Sequence, residues 1–225
     1  MTTANRSSLM NRYLDPASSL GEILFGLIMT LTFTLGAGII IEDEGAEGAR
    51  DLLIALIGCN IAWGVIDAAM YLVTELFTRG KRRRVAQAVR SAPDESASAA
   101  VVEKELGDLL EDVGDEAERQ ALYSRVAAKV RTAEIKPNRL TSADFMGAFT
   151  SFWLVVIASL PAAVPFLIWD DARFALRVSN GILLAFLFFC GYNWARYTLG
   201  NPWTAGLIFL AGGFGLVAMA IALGG

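Results

Sequence analysis

The sequence predicts an all-α integral membrane protein: five transmembrane helices in a 2+3 arrangement, with a cytoplasmic helical module between spans two and three. Three observations carry this expectation. Of 225 residues, 55% are hydrophobic, above the roughly 45–50% of soluble domains. Only 19% are charged, and mean hydropathy is +0.48. The charges are sparse or absent in five long stretches and crowded into one block, residues 78–140. The chain accordingly divides as 1–77, 78–140 and 141–225.

A bilayer core needs about 20 apolar residues per helix. Span one is expected over 23–41, without charge, and span two over 52–77, with only Asp67 and Glu75. Span three, 145–169, is charge-free; span four, 178–195, is charge-free but short; span five, 204–225, is charge-free and rich in glycine. None resembles a cleaved signal peptide, because the first run is too long and lacks a small-residue cleavage site. Basic residues set the orientation. Residues 78–140 hold 13 of the 19, and Arg6, Arg12 and Arg196 join them if there are five spans. The other side keeps Arg50, Arg173 and Arg177, next to an acidic loop (Glu42, Asp43, Glu44, Glu47, Asp51) and the pair Asp170 and Asp171. The expected topology is N-terminus inside and C-terminus outside, with Trp169 and Trp203 as interfacial anchors.

The middle block carries three charge bands: six basic residues over 79–90, ten acids and one lysine over 94–118, and six basic residues with one acid over 119–139. The first marks the cytoplasmic end of span two, where Lys81, Arg82, Arg83 and Arg84 can also hold anionic headgroups. No aromatic residues are interleaved, which argues against nucleic acid. Val102, Leu106, Leu109, Leu110 and Val113 form one apolar helical stripe. Gly114 ends that helix, and Asp115 with Glu118 reads as an N-cap and its reciprocal partner opening a second helix. Its stripe runs through Leu122, Val126, Val130 and Ala133. The module thus reads as a helical hairpin, preceded by an extension of span two that stops near Pro93. Glu103, Glu105, Asp108, Glu111, Asp112, Asp115, Glu116 and Glu118 share this hairpin with Lys104 as the one intervening base. Like charges three or four residues apart repel by a few tenths of a kcal/mol per pair. A solvated face is one reading; a surface that collects divalent cations is the other, since carboxylate oxygens suit Mg, Ca, Mn and ferrous iron.

With no histidine, an imidazole metal site, a histidine base and a Ser-His-Asp triad are excluded. Cys59 and Cys190 lie in separate apolar runs, so neither a disulfide framework nor a paired-cysteine zinc site is expected. No phosphate loop, paired catalytic carboxylates or nucleophile elbow is visible, and the chain is not expected to be an enzyme. The most informative residue is Asp67. It falls about ten residues, roughly 15 Å, from the cytoplasmic end of span two, where an ionisable group costs at least about 2.5 kcal/mol. Trp63 lies one turn before it and Asn60 two, making a polar stripe. Glu22 opens span one and Glu75 closes span two, both near the cytoplasmic surface. Pro161 and Pro165 in span three each remove an amide donor, and either a broken helix lining a site or a packing kink follows. Thr30, Thr32, Thr34, Asn180 and Asn193 read as packing groups, and Gly206, Gly212, Gly213 and Gly215 as small residues for close helix contact.

In layout the chain resembles the vacuolar iron transporter family. The residues Ser159-Leu160-Pro161-Ala162-Ala163-Val164-Pro165-Phe166-Leu167 are similar to its double-proline stretch. Those from Phe25-Gly26-Leu27 to Leu35-Gly36-Ala37-Gly38 are similar to its glycine-bounded first helix, and Tyr71-Leu72 to the end of its second-span motif. The resemblance implies a dimeric, proton-coupled exporter of ferrous iron or manganese, with the metal path between first spans and an acidic cytoplasmic module that gathers ions. It also implies a bacterial inner membrane, an organelle membrane being the alternative. Where the family has an Asp-Gly pair in span one, this chain has Met29-Thr30, and where a Glu precedes the span-two Tyr it has Met70. Carboxylates stand instead at Glu22 and Asp67. A thioether can meet a borderline cation but carries no proton, so coupling would move to those carboxylates.

The expected path therefore comprises Glu22, Met29, Asn60, Asp67, Met70, Glu75, Pro161 and Pro165, with the eight hairpin acids as the metal-collecting surface. The expected partners are divalent metal ions, as transported ion rather than bound cofactor, the bilayer and a second copy of the chain. The competing expectation is a non-transporting membrane protein whose acidic hairpin docks a partner.

Overall fold

The computed structural model describes residues 16–36, 38–135 and 137–222. Among these it contains helices and no strands: α1 (Pro16–Gly36), α2 (Gly38–Ser91), α3 (Glu95–Leu110), α4 (Glu116–Thr132), α5 (Ser142–Ile168), α6 (Ala172–Thr198) and α7 (Pro202–Ala222). Five of them, α1, α2, α5, α6 and α7, are long and apolar enough to cross a membrane. Arg6, Arg12 and Gly225 lie outside the described residues.

The first two helices begin earlier than their apolar runs. α1 spans Pro16–Gly36 rather than 23–41, and α2 opens at Gly38. Glu42, Asp43, Glu44 and Glu47 thus fall in the first three turns of α2, not in a loop. Glutamate and alanine are good helix formers, and negative charge is favoured near a helix N-terminus. Once started, α2 continues for 54 residues, about 80 Å. The short fourth run likewise sits inside a 27-residue helix, which starts where the Asp171 carboxylate accepts from the amides of Arg173 and Phe174. α7 starts similarly, with Asn201 Oδ1 accepting from the amides of Trp203 and Thr204 and Pro202 at the first helical position.

The chain divides into two compact units, one formed by the chain up to Tyr71 together with the chain from Ser142, the other by Leu72–Thr141. In the first, α1 packs on α5, α6 and α7, and α5 and α7 pack on α6. Leu27, Leu31, Ala162, Leu183, Leu187 and Cys190 form its buried centre. Small residues set the approach distances. A Cβ on Gly26 would stand 2.9 Å from the Val155 carbonyl oxygen, and one on Gly64 the same distance from the Phe152 ring. Of the α7 glycines, Gly206 packs on Phe188 and Gly213 on Leu184 and Leu187, whereas Gly212 and Gly215 face open space. The wide apolar surface left on α2 and α5, including Ile61, Val65, Phe149 and Trp153, suits contact with lipid.

In the second unit, the end of α2 packs on the α3–α4 hairpin through Val89, Ala99, Val102, Tyr123 and Ala127. On α4, Val126 and Val130 of the expected stripe pack against this core, but its buried centre is Tyr123 and Ala127, and Leu122 and Ala133 are exposed. On α3, Val102 is buried and Leu106 and Leu110 pack beside it, but Leu109 and Val113 are 78% and 54% exposed. Gly114 takes a positive φ of 67° at the turn, which costs glycine nothing. Asp115 and Glu118 then form a reciprocal capping box. Arginines close the remaining ends. Arg131 donates to the carbonyls of Ala92 and Asp94 and to Ser98 Oγ, and Arg90 to those of Val130 and Ala133 at the C-terminus of α4.

Candidate functional site

α1 and the membrane half of α2 run side by side with opposed directions, and three contacts fix their register. The Thr30 hydroxyl, which donates to the Gly26 carbonyl at 2.7 Å, lies 3.4 Å from Asn60 Oδ1. Phe25 meets Trp63 edge-on with ring centroids 5.5 Å apart. Glu22 and Asp67 face each other within hydrogen-bonding reach. Each pair falls about one turn from the next, so the Asn60, Trp63 and Asp67 stripe is laid along α1. Asn60 is 2% exposed and donates to the Leu56 carbonyl at 2.9 Å.

α5 closes the third side. Gly26 lies on Val155, Gly64 on Phe152, and Gly147 on the Tyr71 hydroxyl. These contacts bracket Ser151 one turn from both Gly147 and Val155, at the level of Glu22 and Asp67. Among the described residues, three buried side-chain oxygens lack a hydrogen-bond partner: Ser19 Oγ, Asp67 Oδ2 and Ser151 Oγ. Ser19 belongs to the α1 turn before Glu22. An unsatisfied buried polar group costs about 1–3 kcal/mol; one of these three belongs to Asp67 itself, and the other two are hydroxyls at the level of the carboxyl pair. No ion pair reaches either carboxyl among the described residues. Two facing carboxylates repel, and a proton or a cation between them relieves this; the hydroxyls of Ser19 and Ser151 would add hard oxygen donors.

The other expected path residues are dispersed. Met29 is half-buried on α1, while Met70 is 55% exposed. Glu75 belongs to the second unit, paired with Arg79 at 3.3 Å. Pro161 and Pro165 do not break the helix: α5 runs unbroken from Ser142 to Ile168. Each proline removes one amide only, the helical bond from the Trp169 amide to the Pro165 carbonyl is kept, and Ser179 of α6 donates to the Ala162 carbonyl between them at 2.8 Å. The prolines therefore mark packing rather than a discontinuous helix.

All eight hairpin acids are exposed. Glu105 pairs with Lys81 at 2.9 Å. Glu116 pairs with Arg119 at 2.6 Å, and hydrogen bonds from Arg119 and then Gln120 hold its carboxyl below the usual range. Asp115 and Glu118 serve the capping box. Glu103, Asp108, Glu111 and Asp112 make no ion pair among the described residues. Nor does any group of three Asp, Glu or Cys side chains there come together as a metal-ligand set.

Sequence reasoning passed over Ser19 and Ser151, because a serine in an apolar run ordinarily bonds the preceding turn of its own helix. Thr34 and Asn180, read as packing groups, join α1 to α6 through a 2.7 Å hydrogen bond. Asp144, buried in the first turn of α5, also escaped notice; the available signal was an acid at the mouth of an otherwise charge-free span. No family model matches the chain, and no curated protein is significantly similar to it.

Proposed function

We propose that this chain exports a divalent cation, ferrous iron or manganese, from the cytoplasm in exchange for protons, with Glu22 and Asp67 as the coupling pair. One observation carries the reading: two carboxyl groups face each other between α1 and α2, without a basic partner among the described residues, at the level of two orphan hydroxyls, Ser19 and Ser151. A purely structural polar contact would satisfy its members, as Thr34 and Asn180 do. Oxygen donors that await a ligand match a hard or borderline cation that must bind and leave. The resemblance to vacuolar iron transporters points to the same chemistry, with carboxylates moved from their usual positions to Glu22 and Asp67.

In this reading the five long helices span a bacterial inner membrane as two plus three, with residues 78–140 cytoplasmic. The chain works as a homodimer, and the exposed acids Glu103, Asp108, Glu111 and Asp112 raise the local cation concentration rather than forming a tight site. Glu75, held by Arg79, belongs to the cytoplasmic mouth. The test is flux of Mn²⁺ and Fe²⁺ into proteoliposomes under an imposed pH gradient. Wild type should show gradient-dependent flux, and Asp67→Asn, which keeps shape while removing the charge, should lose it with folding intact. Undiminished flux in that variant would overturn the assignment.

A second reading rests on the same four acids: exposed carboxylates that make no ion pair among the described residues also suit a basic partner surface. Absence of flux with either ion from folded protein would favour it.

A further inference from the structure

The second unit contains a cavity of about 630 Å³ that the transport reading does not use. One wall is the face of α2 carrying Arg79, Arg82 and Arg83; the other is the segment after α4, with Ile135, Pro137 and Arg139. Its arginines differ in their engagements. Arg79 is committed to structure, donating to the Arg139 carbonyl at 2.7 Å and to Glu75 at 3.3 Å, and so ties the segment after α4 to α2. Arg82, Arg83 and Arg139 are exposed and make no ion pair among the described residues. Glu134 also lines the cavity, so the described residues along it remain net positive by three. Apart from Thr141, the rest of the described lining is apolar, including Ala86, Val130 and Ile135.

Three uncommitted guanidinium groups around one cavity are a phosphate-binding arrangement, since each offers a planar fork of donors to paired oxygens. The volume is that of a small-ligand site. Arg79 follows the last apolar residue of span two, Phe77, by two positions on the same continuous helix. In a membrane-crossing α2 these arginines therefore stand at headgroup depth, and apolar side chains beside them suit the upper acyl chains of a lipid. We infer that this cavity binds the phosphate group of an anionic phospholipid, with Arg82, Arg83 and Arg139 as its ligands. The same chemistry would accept a soluble phosphate, and the test separates the two sources.

Full-length protein in neutral detergent is titrated with phosphatidylglycerol or phosphatidylcholine, and bound lipid is counted by native mass spectrometry. Wild type should bind phosphatidylglycerol preferentially. Arg82→Gln/Arg83→Gln should weaken that binding about tenfold or more, and Arg139→Gln should weaken it alone. Lys104→Gln/Arg125→Gln removes the same charge outside the cavity and should change it less than about twofold. Circular dichroism of each variant establishes that the helices are retained. Equal losses in the cavity and control variants, or no preference for the anionic lipid in wild type, would overturn the inference. Saturable binding of inorganic phosphate that is lost in the cavity variant, without a lipid preference, would keep the phosphate site and overturn its lipid assignment.

Discussion

Ser151 separates a ligand role from a structural one. Its hydroxyl is fully buried and bonds nothing among the described residues, so Ser151→Ala removes an unsatisfied group. Thermal unfolding of the variant in detergent should be unchanged or raised by up to about 1 kcal/mol, while cation flux falls. A fall in both would mean that the hydroxyl holds the helices together, and would remove it from the site. Asn60 gives the contrasting case. Its side chain lies by Thr30 and bonds the Leu56 carbonyl, so Asn60→Leu should destabilise the bundle by about 1–3 kcal/mol, read as a lower unfolding temperature. Unaltered stability in that variant would show that the amide has no structural role.

At the scale of elements, close approach and capping decide what is tolerated. Gly26→Val places a side chain where the Val155 carbonyl oxygen already stands 2.9 Å from the Cβ position, and should cost about 1–3 kcal/mol. Gly212→Val, on an open face of α7, should cost far less, and detergent unfolding of the two variants compares them. In the hairpin, Asp115→Ala should cost about 1 kcal/mol, seen as faster amide exchange in the first turn of α4. Acid should act on the same turn. The Glu116 carboxyl is held below its ordinary value of 4.5 in the folded chain, chiefly by hydrogen bonds from Arg119 and Gln120. Its contribution is thus present above about pH 4.5 and is lost as pH falls through the lowered folded value. Exchange in that turn should quicken over this acid range, and a pH-independent rate, once corrected for intrinsic exchange, would show that the pair contributes nothing.

For the whole molecule, the proposed orientation makes a simple contrast. In a chain whose native cysteines Cys59 and Cys190 are replaced by alanine, Asp170→Cys should react with a membrane-impermeant maleimide added to intact cells, and Asp112→Cys only after lysis. The reverse pattern would invert the topology and the direction of transport with it. The five long helices and the charged hairpin were legible because their causes are local or compositional. Apolar length matches bilayer thickness, and the Gly114 turn and the Asp115–Glu118 box are encoded within five residues. Helix ends were less legible. α1 ends at Gly36 and α2 opens at Gly38, before the expected end of span one at Ile41, because acids near the start of α2 are compatible with a helix. On α4, Val126 and Val130 of the expected stripe reach the core, but Tyr123 and Ala127 rather than Leu122 are buried in it, since the buried face depends on where Val89 and Val102 lie.

Composition and periodicity alone determined that this is an all-helical chain with five membrane-length segments and a charged hairpin, and they singled out Asp67 as the costly residue. Tertiary structure decided what Asp67 meets. The spacing of α1, α2 and α5 is set by glycines that admit backbone and rings from another helix, Gly26 at Val155, Gly64 at Phe152 and Gly147 at Tyr71. That register brings Glu22 to Asp67 and places Ser19 and Ser151 at their level, while Met70 is left on the surface. The physical reason is that a residue's cost in the membrane is a property of its own chemistry, whereas its partner is fixed by how closely two other segments can approach.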